Sequence, residues 1–441
     1  MSGKVTSWIK WLELQPKEIK HLKLSQKNKM TYGAKESVSS PNQRNLRLKL
    51  RREAHRRLWK HKLESLPSDE DIEVFCINLR NNGVYSRSED DKLVDYYNYK
   101  QTINLASKTV QDFLSAEAFM DLLQISSAKN EGRVSVGAIM DYLVIKKEKL
   151  SKLIHLHYYD SRGKGYLSTE DLQDFLEEEV LPRIPSLANL NGEEPMLQDY
   201  YLCMAARKFF FLLDKIQQNK VRIVDIVASR LLDEFETLND SSTGDELANA
   251  EQGTSQTRDT LNWFSKENCL EIKNLYEQLD TDGNGLLSFS EMVDFQRVTN
   301  SFIQRIFEVQ QTYDNDELDW RGFCDLLLAM KNKSERSALN YYFRVLDVDG
   351  DNLLTASDLY FFYRDLAKML EDCLPEGSSQ KAPSFEDIKN EIFDMCHSKN
   401  PEGITLKELI SSGKGGTVVG MLTDLDSFLE YENREDIIYE E

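Results

Sequence analysis

The chain has little cysteine: Cys76, Cys203, Cys269, Cys324, Cys373 and Cys396 are the six in 441 residues, and no two form a C-x-x-C pair. Disulfide scaffolds are short and cysteine-dense, and zinc sites need clustered ligands, so both are excluded and reduced thiols are expected. Histidine is as scarce, at six residues, and no Asp-x-His motif occurs. Two-metal phosphoesterases need several His and Asp ligands, which excludes that chemistry too. His155 and His157 stand two apart on a helical stretch and face different sides, which suits surface or core places better than a shared metal. A G-x-x-x-x-G-K-[ST] phosphate loop, a G-x-S-x-G elbow, an H-E-x-x-H pair and a kinase signature set are all missing. The sequence reads as a non-enzyme with no small-molecule substrate. Nor does any stretch approach the roughly 18 apolar residues of a membrane span. Lys10 interrupts the Trp8/Ile9/Trp11/Leu12 cluster, and no small-residue cleavage site follows it. An intracellular, cytoplasmic protein without a transmembrane segment is expected, with the nucleus left open.

What is present is charge, unevenly spread. Residues 1–62 hold 17 Lys and Arg against 4 Asp and Glu, whereas the rest holds 38 against 71. A body that acidic repels nucleic acid, which only the basic arm could touch, so nucleic acid is not an expected partner. Acidity of this size is common where loops concentrate carboxylates for calcium, and common in other soluble proteins as well. From Arg44 to Leu63, Leu46, Leu50, Ala54 and Leu58 recur every four residues among nine Lys and Arg. That spacing predicts a helix whose narrow apolar stripe meets a partner surface while the bases stay wet. Nuclear import or an anionic surface would use such a helix; a solvated helix leading into the first domain is the plainer reading.

Helix-length apolar patterns alternate with short loops that share a form, a Gly or Asn followed by a β-prone apolar residue and then a helix. The form ends at Val134, Leu167, Val221, Leu287, Leu354 and Ile404, with a shortened version at Leu318. In EF-hands that apolar residue bridges to its counterpart in a paired loop, and hands pair because each leaves an apolar face exposed. Separations of 33 residues between Val134 and Leu167, and of 31 between Leu287 and Leu318, suit such pairs. The expected fold is all-α: an array of paired helix–loop–helix units with short β-bridges, mostly degenerate, in two halves. The expected organisation is a disordered tail over 1–43, a basic helical region over 44–100 and degenerate hands over 101–235. A polar linker over 236–259, a domain with intact loops over 260–435 and an acidic tail over 436–441 follow. Leu374–Ser384, with Pro375, Gly377 and Pro383, reads as a surface loop.

Two loops carry metal chemistry. Calcium takes six to eight oxygens at about 2.3–2.6 Å, and a twelve-residue loop supplies them. In D-T-D-G-N-G-L-L-S-F-S-E, Asp280, Asp282 and Asn284 give side-chain oxygens at positions one, three and five. Gly285 permits the sharp turn at six, Leu286 offers its carbonyl at seven, Ser288 acts through water at nine, and Glu291 can bind with both oxygens at twelve. In D-V-D-G-D-N-L-L-T-A-S-D, Asp347, Asp349, Asp351 and the Leu353 carbonyl are placed likewise. Asn352 stands where glycine is usual, and Asp358 replaces the glutamate with a side chain one methylene shorter. This second site is expected to bind calcium more weakly and to discriminate less against magnesium. Elsewhere Arg162, Lys164 and Ile216 occupy positions that need oxygen, so those loops are expected to be structural.

Several stretches resemble the B-double-prime class of protein phosphatase 2A regulatory subunits, nearest the gamma-type branch that includes the plant TONNEAU/FASS proteins. They are A-A-R-K-F-F-F-L-L-D (Ala205–Asp214), N-W-F-S (Asn262–Ser265), F-E-D-I-K-N-E-I-F-D-M (Phe385–Met395) and Y-E-N-R-E (Tyr431–Glu435). The resemblance runs from about residue 100 to residue 435. It implies a regulatory subunit that docks on the phosphatase scaffold and catalytic subunits and directs them to substrates. It also implies a setting at the centrosome, spindle or other microtubule-organising sites, with centrosomal or cytoskeletal partners. The family's calcium ligands fall on Asp280, Asp282, Asn284, Leu286 and Glu291, and on Asp347, Asp349, Asp351 and Leu353. The alternative is a calcium-responsive EF-hand adaptor at the centrosome that works without the phosphatase. Phe209–Phe211 is tempting as a docking surface, but three consecutive aromatics on a helix spread around it, so a core role is expected.

Overall fold

Helices begin where the sequence supplies a local cap. Ser107, Ser135, Ser265, Asp319, Ser384 and Thr405 each accept from the backbone N–H three residues on, which satisfies a donor the first turn would leave orphaned. The structure is a computed structural model that describes residues 41–82, 85–86, 92–114, 116–125, 132–193, 196–240, 262–293, 295, 298–310, 317–373 and 382–434. Most of the 1–43 tail, most of the 236–259 linker, the loop over 374–381 and the 436–441 tail lie outside the described residues. The chain is mostly helical, with short two- and three-residue strands between helices. No described helix is long and apolar enough to cross a membrane. All six cysteines are free. By chain contacts there are two compact units.

The first unit comprises the described residues up to Asp171 together with Arg222–Arg230. Its Asp69–Asn82 helix carries Asp69, Glu70 and Asp71 in the first turn and Arg80 in the last, each sign at the helix end that favours it. Ile72, Phe75 and Leu79 fall on one face and pack with Val94, Tyr99, Phe119, Val134 and Ile139. The strands Tyr85–Ser86, Lys92–Val94 and Val134–Ser135 form an antiparallel sheet in which Val94 faces Val134. Val134 therefore pairs with Val94 and not with Leu167. A separation in sequence suited to one partner does not exclude another, and K-L-V at Lys92–Val94 lacks the loop form that marks the other bridging residues.

The basic helix, Pro41–Glu64, packs on the 24-residue helix Val136–Tyr159. Its contact face is not the predicted stripe: Leu50 and Leu58 are 61% and 44% exposed, and Ala54 is exposed too. A strict spacing of four drifts about 40° per step on a helix of 3.6 residues per turn, so the stripe winds away from any one neighbour. His55, Trp59 and Lys62, spaced four and three, stay within an arc of about 60°. Trp59 is buried and stacks on His157 with ring centroids 4.3 Å apart and planes at 6°. His55 Nε2 lies 2.8 Å from the His157 carbonyl oxygen, and the Lys62 ammonium sits 4.0 Å above the Trp59 ring. Burial, with His55 and Lys62 nearby, pushes the His157 imidazole down to about 4.

The loop from Asp160 keeps the shape of a hand. Asp160 Oδ1 accepts from Arg162 N at 3.1 Å and Oδ2 from Gly165 N at 2.6 Å, with Gly163 and Gly165 both at positive φ. Asp171 closes its far end by accepting from Ser168 N at 3.1 Å and from the Ser168 hydroxyl at 3.0 Å.

The second unit comprises the described residues of Leu172–Val221 and those from Leu231 onward. Its helix Leu197–Leu213 holds Phe209 and Phe210 in the core, while half-buried Phe211 meets Tyr341 at 6.0 Å between centroids. Trp263 Nε1 donates to the Met204 carbonyl at 3.1 Å, and the Tyr201 hydroxyl donates to the Phe264 carbonyl at 2.7 Å. N-W-F-S is thus keyed to the helix that contains A-A-R-K-F-F-F-L-L-D. The other two stretches singled out in the sequence also meet. Arg434 Nη2 donates to Glu391 Oε1 at 2.9 Å, the Tyr431 hydroxyl donates to the same carboxylate, and the Arg434 guanidinium covers the Tyr431 ring at 3.7 Å. Arg207 joins the helices Leu197–Leu213 and Trp320–Lys331 with two bonds to Asp325, 2.9 Å from Nε to Oδ1 and 2.5 Å from Nη2 to Oδ2.

Candidate metal centre

The loop Asp280–Glu291 follows the helix Lys266–Leu279, which buries Ile272 and Tyr276 and leaves Leu275 and Leu279 half-buried. Backbone N–H groups converge on its carboxylates. Asp280 Oδ1 accepts from Asn284 N at 3.1 Å and Oδ2 from Gly285 N at 2.9 Å, while Asp282 Oδ1 accepts from Asn284 N at 3.0 Å. Gly285 adopts φ +81°, a conformation that side chains with a Cβ rarely take. Leu286 N donates to Asn284 Oδ1 at 2.7 Å. Leu287 and Leu318 exchange two backbone hydrogen bonds of 2.8 Å, which pairs this loop with the next and places the Leu286 peptide beside a fixed bridge.

Glu291 closes the loop. Its Oε1 accepts from Thr281 N at 2.8 Å, the Thr281 hydroxyl at 2.9 Å and Asp282 N at 3.3 Å. Its Oε2 accepts from Ser288 N at 2.9 Å and the Ser288 hydroxyl at 2.8 Å. Burial pushes the Glu291 carboxyl up, but the bonds from Ser288 and Thr281 outweigh it and bring it down to about 2. It is a carboxylate at any ordinary pH, which is the form a hard cation binds.

The donor set fits calcium. One carboxylate oxygen from each of Asp280, Asp282 and Glu291 lies within 4.8 Å of the others. Two oxygens bound to one ion at about 2.4 Å can be no farther apart than about 4.8 Å, so the three can share an ion. Glu291 receives five bonds against about four lone-pair sites, so a cation would take the place of some of them, most readily those from the rotatable Thr281 and Ser288 hydroxyls.

The loop Asp347–Asp358 follows the helix Arg336–Leu346. Asp347 Oδ1 accepts from Gly350 N at 2.8 Å and Asp351 N at 3.1 Å, and Oδ2 accepts from Asn352 N at 2.9 Å. Burial raises the Asp347 carboxyl, with repulsion from Asp358 adding to it, against the backbone bonds that lower it. Asn352 takes the left-handed turn at φ +66°. Asp351 Oδ1 accepts from Leu353 N at 2.7 Å. Asp347, Asp349 and Asp351 bring one oxygen each within 4.8 Å. Asp358 is not in that group. It is buried, with Oδ1 accepting from Val348 N at 3.0 Å and Oδ2 from Thr355 N at 2.8 Å and the Thr355 hydroxyl at 2.6 Å.

This second loop pairs with the stretch ending at Ile404: Leu354 faces Ile404 and Thr355 faces Gly403. A Cβ on Gly403 would lie 3.1 Å from the Leu354 carbonyl oxygen, so the close approach favours glycine. Glu408 closes the partner loop by accepting from Lys399 N at 3.2 Å and Thr405 N at 3.0 Å. Sequence reasoning marked Ile404 but missed Glu408. The signal was the capping pattern T-L-K-E, which repeats the S-F-S-E of the first loop.

A family model described as the RSA-1 C-terminal domain matches residues 280–436, and one described as an EF-hand domain matches 146–241. The human relative named as the B'' gamma regulatory subunit of serine/threonine-protein phosphatase 2A is 33% identical over 392 residues, covering 88% of this chain and 81% of its own length. The chain belongs to the B'' family of protein phosphatase 2A regulatory subunits. In Arabidopsis thaliana the probable B'' regulatory protein TON2 is 26% identical over 413 residues, covering 91% of this B'' chain and 82% of its own. A solved PP2A PR70 holoenzyme contains a chain that shares the fold, with a TM-score of 0.50 at 20% identity, over 61% of this chain and 94% of that one. The relatives are named as regulatory subunits, so this B'' protein is regulatory and not an enzyme. The EF-hand match covers the stretch in which Arg162 and Lys164 stand at oxygen positions: it follows the helix–loop–helix form and not the ligands.

Proposed function

We propose that this chain docks on the scaffold and catalytic subunits of protein phosphatase 2A and directs them to substrates, and that it binds calcium at Asp280–Glu291 and more weakly at Asp347–Asp358. The observation that carries the reading is 33% identity to a B'' gamma protein over 88% of the chain, joined to a loop whose carboxylates have the spacing of one shared ion. Asp280, Asp282, Asn284 and Glu291, with the Leu286 carbonyl, would hold the first ion. Asp347, Asp349 and Asp351, with the Leu353 carbonyl, would hold the second. Asp358 would contribute through one oxygen or through water, because its side chain is one methylene shorter than glutamate and it lies outside the group of carboxylates formed by Asp347, Asp349 and Asp351. An ion in either loop fixes the angle between its flanking helices, and the faces those helices present to a partner are set with it. We place the working location at the centrosome, spindle or other microtubule-organising sites, a reading supported by the family resemblance.

The test is affinity purification of the tagged full chain with mass spectrometry, with and without a calcium chelator. Scaffold and catalytic subunits should co-purify, and chelation should change their yield. Recovery of neither one would sink the docking reading. A calorimetric titration without heat would sink the calcium reading.

A further inference from the structure

Between the two loops lies a helix, Asn300–Val309, that makes no sense as a spacer. Its own N-cap residue, Thr299, provides no side-chain cap, and the buried Thr299 hydroxyl has no hydrogen-bond partner. The cap comes from elsewhere: Asp365, on the exit helix Ala356–Cys373 of the second loop, accepts from Ser301 N at 2.9 Å and from the Ser301 hydroxyl. One turn on, Arg305 reaches the entry helix of the same loop. Its Nε donates to the Val345 carbonyl at 3.2 Å and its Nη2 to the carbonyl of Asp347, the first residue of the loop, at 3.0 Å. These are carbonyls at a helix C-terminus, where a cation is favoured. Nη1 is held by Glu308 at 2.6 Å, so the guanidinium is fixed in place. Phe302 stacks on Tyr342 of the entry helix at 5.3 Å and 14°. Toward the first loop, Phe289 of its closing turn meets Phe307 edge-on at 6.2 Å.

We propose that the Asn300–Val309 helix couples the two calcium loops, and that Arg305 is a positioning residue for the second. One helix contacts the entry and exit helices of the second hand and the exit turn of the first. A change in the angle of the second hand must move Ser301 relative to Arg305 or break one of their bonds, and either shifts Phe307 against Phe289. Binding at one loop therefore favours binding at the other, and by linkage the factor is the same in both directions.

The inference rests on the calcium reading of both loops. Its test is calorimetric titration of calcium chloride into the chelator-stripped full chain. The two loops are disabled in turn, by Glu291→Gln for the first and by Asp349→Asn with Asp351→Asn for the second. Disabling the second loop should weaken the first by about 5-fold or more. In an Arg305→Met background, where neither carbonyl receives a bond, that factor should fall toward one. Asp365→Ala should reduce it as well, and circular dichroism checks that both variants fold. A purely structural Arg305 would lower the melting temperature and leave the factor intact. Two occupied but independent sites in the unmodified chain would overturn the coupling alone, as would a factor undiminished in both variants. An unmodified chain that takes up no calcium would overturn the reading beneath it.

Discussion

Arg207→Met should be among the most damaging single changes in the second unit. Both side chains of the Arg207–Asp325 pair are less than 20% exposed. Burial pushes the Asp325 carboxyl up and the Arg207 guanidinium pulls it only partly back, so the carboxylate is tolerable there because of the two bonds it receives. Methionine fills similar space and supplies neither bond nor charge, leaving Asp325 buried and unpartnered. Breaking such a pair costs about 3–5 kcal/mol. For a unit of this size each kcal/mol lowers the midpoint by about 2–4 °C, so the fall should be about 6–20 °C. Trp263 and Trp320 fluorescence reports it, because both indoles donate to carbonyls of the same helix, at 3.1 Å to Met204 and 3.2 Å to Tyr200. The deficit should depend on pH with a definite sign. An acid whose folded pKa is raised binds protons more readily folded than unfolded, so the variant should lose stability as pH rises and recover part of it in acid. Adding Asp325→Leu removes the stranded charge and should restore stability to within about 1 kcal/mol. If Arg207→Met alone costs less than about 1 kcal/mol, the pair is solvated, contributes no more than a surface bridge, and this reasoning is wrong.

Three further outcomes are expected. His157 is held neutral by burial, so the first unit should be at full stability above about pH 6.5 and lose up to about 3 kcal/mol as pH falls toward 4, a slope that His157→Phe should flatten in urea melts at stepped pH. Glu291→Gln keeps the shape of the closing side chain but gives up one acceptor oxygen, so without calcium it should cost about 1 kcal/mol, whereas the roughly 2.7 kcal/mol of stabilisation expected at a calcium concentration 100 times Kd should disappear in thermal melts. Phe210→Ala should cost about 3–5 kcal/mol, and Phe211→Ala clearly less, since only the first of these side chains is fully enclosed; equal losses would contradict the packing.

The two acidic loops were legible because coordination is local: twelve residues fix the donors, the turn and the bridging residue. The pairing of Leu287 with Leu318 followed from spacing and holds. Spacing misled at Val134, because its true partner, Val94, follows a stretch that lacks the loop form marking the other bridging residues. The face by which the basic helix packs on its neighbour was not legible, because apolar spacing was taken as the signal, while the contacts to His157 are made by His55 and Trp59, rings with both polar and nonpolar surface. That the four stretches carrying the family resemblance meet in two pairs was not legible at all, since such contacts between distant segments leave no mark in a single sequence.

Loops with and without a full set of oxygen donors end in the same way here. Asp171, Glu291, Asp358 and Glu408 all accept from the backbone N–H of the residue three positions earlier, although the loop of Asp171 carries Arg162 and Lys164 and the loop of Glu408 carries Lys399. The terminal acid is a clasp first and a ligand second. A hand of this kind is held shut whether or not its loop carries a set of oxygen donors, so one scaffold accommodates loops of both kinds. Counting clasps would overstate how many of them answer to calcium.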